Sequence, residues 1–83
     1  TNARLTKAEC QKVAQMGHDG LARSINPVHL MVDGDTVFAL SCGSLTSDVN
    51  LVGALAAEVV ADAVLSGVRE AVGLAGIPAL REL

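Results

Sequence analysis

Eighty-three residues leave room for one small domain, and a chain of this length buries too little surface to be stable without support. Half of it is apolar, yet Phe38 is its single aromatic, so any core is built from Val, Leu, Ile and Ala, which pack closely but fill little volume. Such a composition fits one layer of a larger layered fold better than a free-standing globule. The net charge of −3, with Lys and Arg scattered among the acids, excludes a basic footprint for nucleic acid or anionic lipid.

In chain order, Thr6, Lys7, Ala8 and Glu9 form a capping box, so a helix starts at Thr6 or Lys7. Cys10, Val13, Ala14, Gly17 and Leu21 make one apolar stripe on it, and Pro27 disfavours helical dihedrals at Asn26, ending the helix near Ile25. After an irregular stretch, Asp33-Gly34-Asp35 leads into residues 36–42, rich in strand formers, where one strand is expected. Residues 43–47 read as a loop. Asp48 is placed to cap a second helix running to about Ala71, whose broad apolar face implies burial on more than one side, with Glu58, Asp62 and Arg69 as its polar ribbon. The chain is thus a single partial domain over residues 1–83, with residues 68–83 an arm that is either ordered or frayed.

The order helix, strand, helix is of α/β (α+β) type, with a strand stub possible before Leu5. One strand cannot make a sheet, so partners are required from residues upstream of Thr1 or from another subunit. No signal peptide opens the chain, and the apolar run of residues 49–68 is interrupted by Glu58 and Asp62, so no membrane partner is expected. Cys10 and Cys42 lack C-x-x-C spacing and read as buried thiols of a cytoplasmic protein.

Asp33 and Asp35 are the most informative pair. In an extended segment, residues two apart point the same way, and two carboxylates in one small space share a proton more readily than both ionise. The competing reading is plain turn chemistry around Asp-Gly, and from spacing alone that reading carries more weight. An EF-hand loop lacks its later ligands. His18 and His29 have no metal-ligand spacing, so neither a metal nor a cofactor is expected; His18 beside Asp19 reads as structural, and His29 as a loop residue or a pocket liner. No serine lies in a nucleophile elbow, and the cysteines lack nucleophile signatures.

Five pieces in order carry a resemblance: Thr1-Asn2-Ala3-Arg4-Leu5-Thr6, His18-Asp19-Gly20-Leu21-Ala22-Arg23, Ile25-Asn26-Pro27-Val28-His29, Asp33-Gly34-Asp35-Thr36-Val37-Phe38-Ala39, and Gly53-Ala54-Leu55-Ala56-Ala57-Glu58-Val59-Val60 followed by Asp62-Ala63-Val64-Leu65. Together they resemble the C-terminal, small-subunit part of the DmpA-type self-processing aminopeptidases and nylon-oligomer hydrolases, which are N-terminal nucleophile hydrolases. The resemblance implies an αββα sandwich whose strands come from both subunits, and a precursor that cleaves itself to expose a Ser or Thr nucleophile several positions upstream of Thr1, with its own α-amine as base. It further implies that Asp33 and Asp35 are the catalytic pair orienting that nucleophile, the Asp-x-Asp form leaning toward the nylon-oligomer branch. The implied partners are a larger subunit of the same precursor, in a homo-oligomer of heterodimers, and a peptide-like amide substrate. Leu30, Met31 and Val32 make the approach to Asp33 unusually apolar, and residues beyond Gly67 have no counterpart in the resemblance. A non-catalytic assembly subunit, and an acyltransferase of the related ornithine acetyltransferase-like architecture, remain as alternatives.

Overall fold

The computed structural model describes residues 1–83 as an α-helix, α1 (Lys7–Ser24), a long connection, a second helix, α2 (Val49–Glu70), and a closing 3-10 turn (Leu80–Glu82). The capping box at Thr6 forms as expected. The Thr6 hydroxyl accepts from the Glu9 amide at 3.2 Å, and the Glu9 carboxylate accepts from the Thr6 amide at 3.1 Å. Helix α1 stops where Ile25 turns extended, just ahead of Pro27. Asp48 caps α2 by accepting the Asn50 amide at 3.1 Å.

The two helices pack through residues with almost no side chain. The buried residues of the whole chain are Ala3, Val13, Gly17, Gly20, Gly53 and Ala57. A β-carbon placed on Gly20 would overlap the Ala57 carbonyl oxygen and lie 2.7 Å from the Val60 Cβ, so the α1 and α2 backbones touch directly. Gly53 receives the Met16 thioether in the same way. Close approach of this kind gains dispersion along both backbones while burying few large side chains.

The chain start lies beside residues 40–45. The Thr1 ammonium donates to the Leu40 carbonyl at 2.9 Å and the Cys42 amide donates to the Thr1 carbonyl at 3.0 Å, which sets Thr1 opposite Ser41 in a parallel register. Ala3 lies parallel to Leu45, with the Leu45 amide on Asn2 and the Arg4 amide on Leu45. Moving from Thr1 to Ala3 advances two residues while Ser41 to Leu45 advances four, so residues 42–44 bulge outward. Gly43 sits in that bulge so close that a β-carbon would run into the Asn2 backbone. The Ser41 hydroxyl bridges the gap, donating to the Ala3 carbonyl at 2.7 Å and accepting the Leu5 amide at 3.1 Å.

The strand expected over residues 36–42 does not close as one within this chain. Residues 36–39 make no backbone hydrogen bond, because the segment at Thr1 reaches only as far as Leu40. Their exposure nevertheless alternates. Val37, which meets Gly17 of α1, Ala39 and Ser41 are half-buried, while Phe38 is 90% and Leu40 75% exposed on the opposite side. Helix α2 is likewise covered on one side only, contrary to the burial on several sides that its apolar breadth suggests. Gly53 and Ala57 are buried, whereas Leu51, Leu55 and Val59 remain more than half exposed. By length and composition α2 could also cross a bilayer; here its Gly53 and Ala57 edge is the one packed on α1.

The expected buried state of the two thiols holds only in part, with Cys10 half-buried and Cys42 exposed because it lies on the bulge. The C-terminal arm is ordered. Leu74 and Ile77 exchange both backbone hydrogen bonds around Ala75 and Gly76, which have φ of 53° and 79°, the left-handed pair of a tight hairpin turn. Arg81 then folds back, donating through Nε and Nη2 to the Arg69 carbonyl and through Nη2 to Glu70 at 2.8 Å, thereby satisfying the open end of α2.

The accessible surface is 6127 Å² and the radius of gyration 15.3 Å. A folded monomer of this size exposes about 4,700 Å² and has a radius near ~12 Å. The chain is a helical layer with one open apolar face.

Two expectations follow from this packing. Gly20→Ala forces the helix backbones apart and should destabilise the complete protein by about 1–3 kcal/mol, read as a lower denaturant midpoint with an unchanged slope. At the arm, the Glu82 carboxylate accepts the Gly73 amide and the Ala79 amide, which in that order hold its pKa below the usual glutamate value. A depressed pKa means stabilisation that is present above the unfolded-state value and lost as pH falls through the folded one. Hydrogen-exchange protection of the Gly73 and Ala79 amides should therefore survive the pH range in which an ordinary glutamate protonates and collapse only below it.

Candidate active site

Asp33 and Asp35 lie near the middle of the connection between the helices, on an exposed stretch that leads into residues 36–42. Asp33 is held by a reciprocal pair of hydrogen bonds. Its carboxylate Oδ2 accepts the Leu30 amide at 2.9 Å, and its own amide donates to the Leu30 carbonyl at 3.0 Å. This is a turn closed by an Asp side chain, a local chemistry that Asp supports well. Asp35 is exposed and makes no hydrogen bond, so its carboxylate is free to accept from a group outside the chain.

The turn itself explains the apolar approach noticed in the sequence. Met31 and Val32 occupy its tip at 103% and 90% exposure, and Leu30 is half exposed. The side chains that surround Asp33 in the sequence therefore do not bury it in this chain. Both readings of the pair remain physically present, since Asp33 serves the turn with one oxygen and keeps the other open.

The histidines separated by eleven positions in sequence meet in space. The His18 and His29 rings lie 5.6 Å apart between centroids, tilted by 60°. His18 is half-buried on α1, and His29 is exposed in the loop with φ of 57°, a left-handed conformation uncommon for a residue with a side chain. Sequence spacing alone could not join them, because the link is made by the reversal at Asn26 and Pro27. No three of the His, Cys, Asp and Glu side chains converge as a metal-ligand cluster.

Away from the carboxylates, an open groove of about 620 Å³ lies between residues 37–40 and α2, lined by Leu51, Leu55 and Val59 and floored by Val13 and Gly17 of α1. Thr1 and Asn2 lie at its edge. Its walls are almost entirely apolar and contain neither aspartate. The groove and the aspartates are joined by a single extended stretch, residues 33–40.

Comparison with known proteins places these features in context. Peptidase family S58 matches over residues 1–80. An uncharacterized aminopeptidase of Mycobacterium tuberculosis is 43% identical over 99% of this chain and 28% of its own length. A second uncharacterized aminopeptidase, from Mycobacterium leprae, is 45% identical over 94% of the chain and 26% of its own length. A 6-aminohexanoate-oligomer endohydrolase of Kocuria is 34% identical over 83% of the chain and 23% of its own length. No solved structure matches. The chain spans about a quarter of the length of these relatives. With a match running from Thr1, through the aspartate turn and both helices, into the Arg81 arm, the chain belongs to peptidase family S58, the DmpA-type family that its five sequence pieces resemble.

Proposed function

We propose that the complete protein is a self-processing amide hydrolase of the N-terminal nucleophile type, and that this chain supplies the carboxylate half of its active site through Asp33 and Asp35. The family membership supports hydrolysis, and the names of the relatives, aminopeptidase and 6-aminohexanoate-oligomer endohydrolase, favour an amide as the bond cut.

The observation that carries the assignment of the two aspartates is the register at Thr1. Because Thr1 lies parallel to and opposite Ser41, a segment continuing upstream in the same register runs beside residues 33–40. Asp35 lies six residues before Ser41 and Asp33 eight, so the residues six to eight positions ahead of Thr1 come to lie beside the pair. The same segment would give residues 36–39 the backbone partner they lack, and would lay its inward side chains into the apolar groove. A Ser or Thr at the head of such a segment sits beside two carboxylates.

In this reading the nucleophile's hydroxyl oxygen attacks the amide carbonyl carbon while its α-amine takes the hydroxyl proton. The carbon–nitrogen bond then breaks, the leaving amine takes that proton, and the acyl group stays on the oxygen as an ester. Water attacks the ester carbon and restores the hydroxyl. Asp33 and Asp35 accept hydrogen bonds from the hydroxyl and the α-amine, holding them in attacking geometry, which is where most of their rate contribution arises. Self-cleavage uses the same hydroxyl on the carbonyl just before it, the peptide bond breaking and water releasing the ester, so that a new α-amine is left. A larger subunit from the same precursor provides the remaining strands and the substrate pocket, and the heterodimers assemble further in the cytoplasm.

Asp33→Ala or Asp35→Ala in the complete protein should reduce amide hydrolysis or self-cleavage by about a hundredfold or more, with assembly and secondary structure unchanged; full activity in both variants rejects the assignment. Intact mass should resolve the protein into two pieces, the smaller beginning with Ser or Thr six to eight residues ahead of Thr1. A single uncleaved polypeptide with amidase activity contradicts the self-processing step.

A further inference from the structure

We infer that His18 is a positioning residue for Asp33, acting through His29. The inference rests on the reading above, in which Asp33 orients the nucleophile.

The loop that carries Asp33 is weakly tied to the rest of the chain. Every hydrogen bond made by residues 26–36 stays inside that stretch: the Leu30 amide to Asp33, the Asp33 amide to Leu30, and the Thr36 hydroxyl to the Gly34 carbonyl. Burial does not hold it either, since Val28 is the only residue from 25 to 36 that is even half covered. Segments with few buried contacts and exposed backbone open most readily.

One aromatic contact joins this loop to a rigid element. His29 meets His18 at 5.6 Å, and His18 is half-buried on α1, next in sequence to the buried Gly17. The tilted ring geometry is a favourable one for aromatic pairs. His29 is also the residue immediately before Leu30, whose amide fixes the Asp33 carboxylate. Displacing the His29 ring therefore moves the donor that aims Asp33. His29 adopts φ of 57° to make this contact, a conformation that glycine would take without strain. If the backbone shape were all that the position required, glycine would serve better than histidine.

That contrast supplies the test. In the complete protein, His29→Gly keeps the left-handed backbone and removes the ring, and His18→Ala removes the ring from the other side. Both should lower kcat by about ten- to a hundredfold with KM within about twofold, the signature of lost orientation and not of lost substrate binding. Exchange of the Leu30 amide should accelerate in both, while protection within α1 and α2 stays as in the parent. His18→Phe keeps an aromatic ring and should recover kcat to within about threefold of the parent. Parental kcat in both His29→Gly and His18→Ala overturns the inference, as does a His18→Phe variant no more active than His18→Ala. Should His18→Ala fail to fold, His29→Gly on the exposed loop carries the same comparison. The Asp33→Ala and Asp35→Ala variants separate the two levels. If they are inactive while the histidine variants retain parental kcat, the positioning role alone fails; if they are fully active, the assignment of the carboxylates fails first.

Discussion

The contact on which this structure depends is the meeting of two helix backbones at Gly20 and Ala57. With one aromatic residue in the whole chain, there is no large side chain to act as a keystone, and cohesion comes from main-chain atoms brought into direct contact. That contact fixes where α1 presents Gly17 and Val13. Val37 rests on Gly17, and through Val37 the extended residues 36–42 take their alternation of covered and exposed side chains. The aspartates lie at the head of the same stretch.

The second constraint is the open face. An accessible surface well above that of a folded monomer of equal size, an apolar groove along α2, and the exposed Phe38 and Leu40 all describe a layer with an open apolar face. The chain spans about a quarter of the length of these mycobacterial relatives. The parallel register at Thr1 adds direction. It says on which edge, and in which orientation, an upstream segment would join.

Family membership and branch are separate questions. The resemblance places the expectation for Asp33-Gly34-Asp35 on the nylon-oligomer branch, whereas identity is 43–45% with the mycobacterial aminopeptidases and 34% with the Kocuria endohydrolase. The mycobacterial matches extend over 94–99% of the chain, whereas the endohydrolase match covers 83%. The family match continues past Gly67 to residue 80, so most of the arm left without a counterpart by the five sequence pieces is shared with the family, and Arg81 clips it to the end of α2.

Both helices, with their caps at Thr6 and Asp48 and their ends near Ile25 and Ala71, were legible in the sequence because capping, proline and apolar periodicity act within a few residues. The turn at Asp33-Gly34-Asp35 was legible as a motif, and the alternation through residues 36–42 as a strand pattern. What the sequence could not determine is everything that joins distant residues. The backbone contact at Gly20, the pairing of Thr1 with Ser41, the bulge that demands Gly43, the meeting of His18 with His29 and the exposure of Cys42 depend on which surfaces the fold brings together. The reason is physical. Helix ends are decided by local hydrogen bonds, whereas a strand exists only where a neighbouring backbone pairs with it, and residues 36–39 make no backbone hydrogen bond.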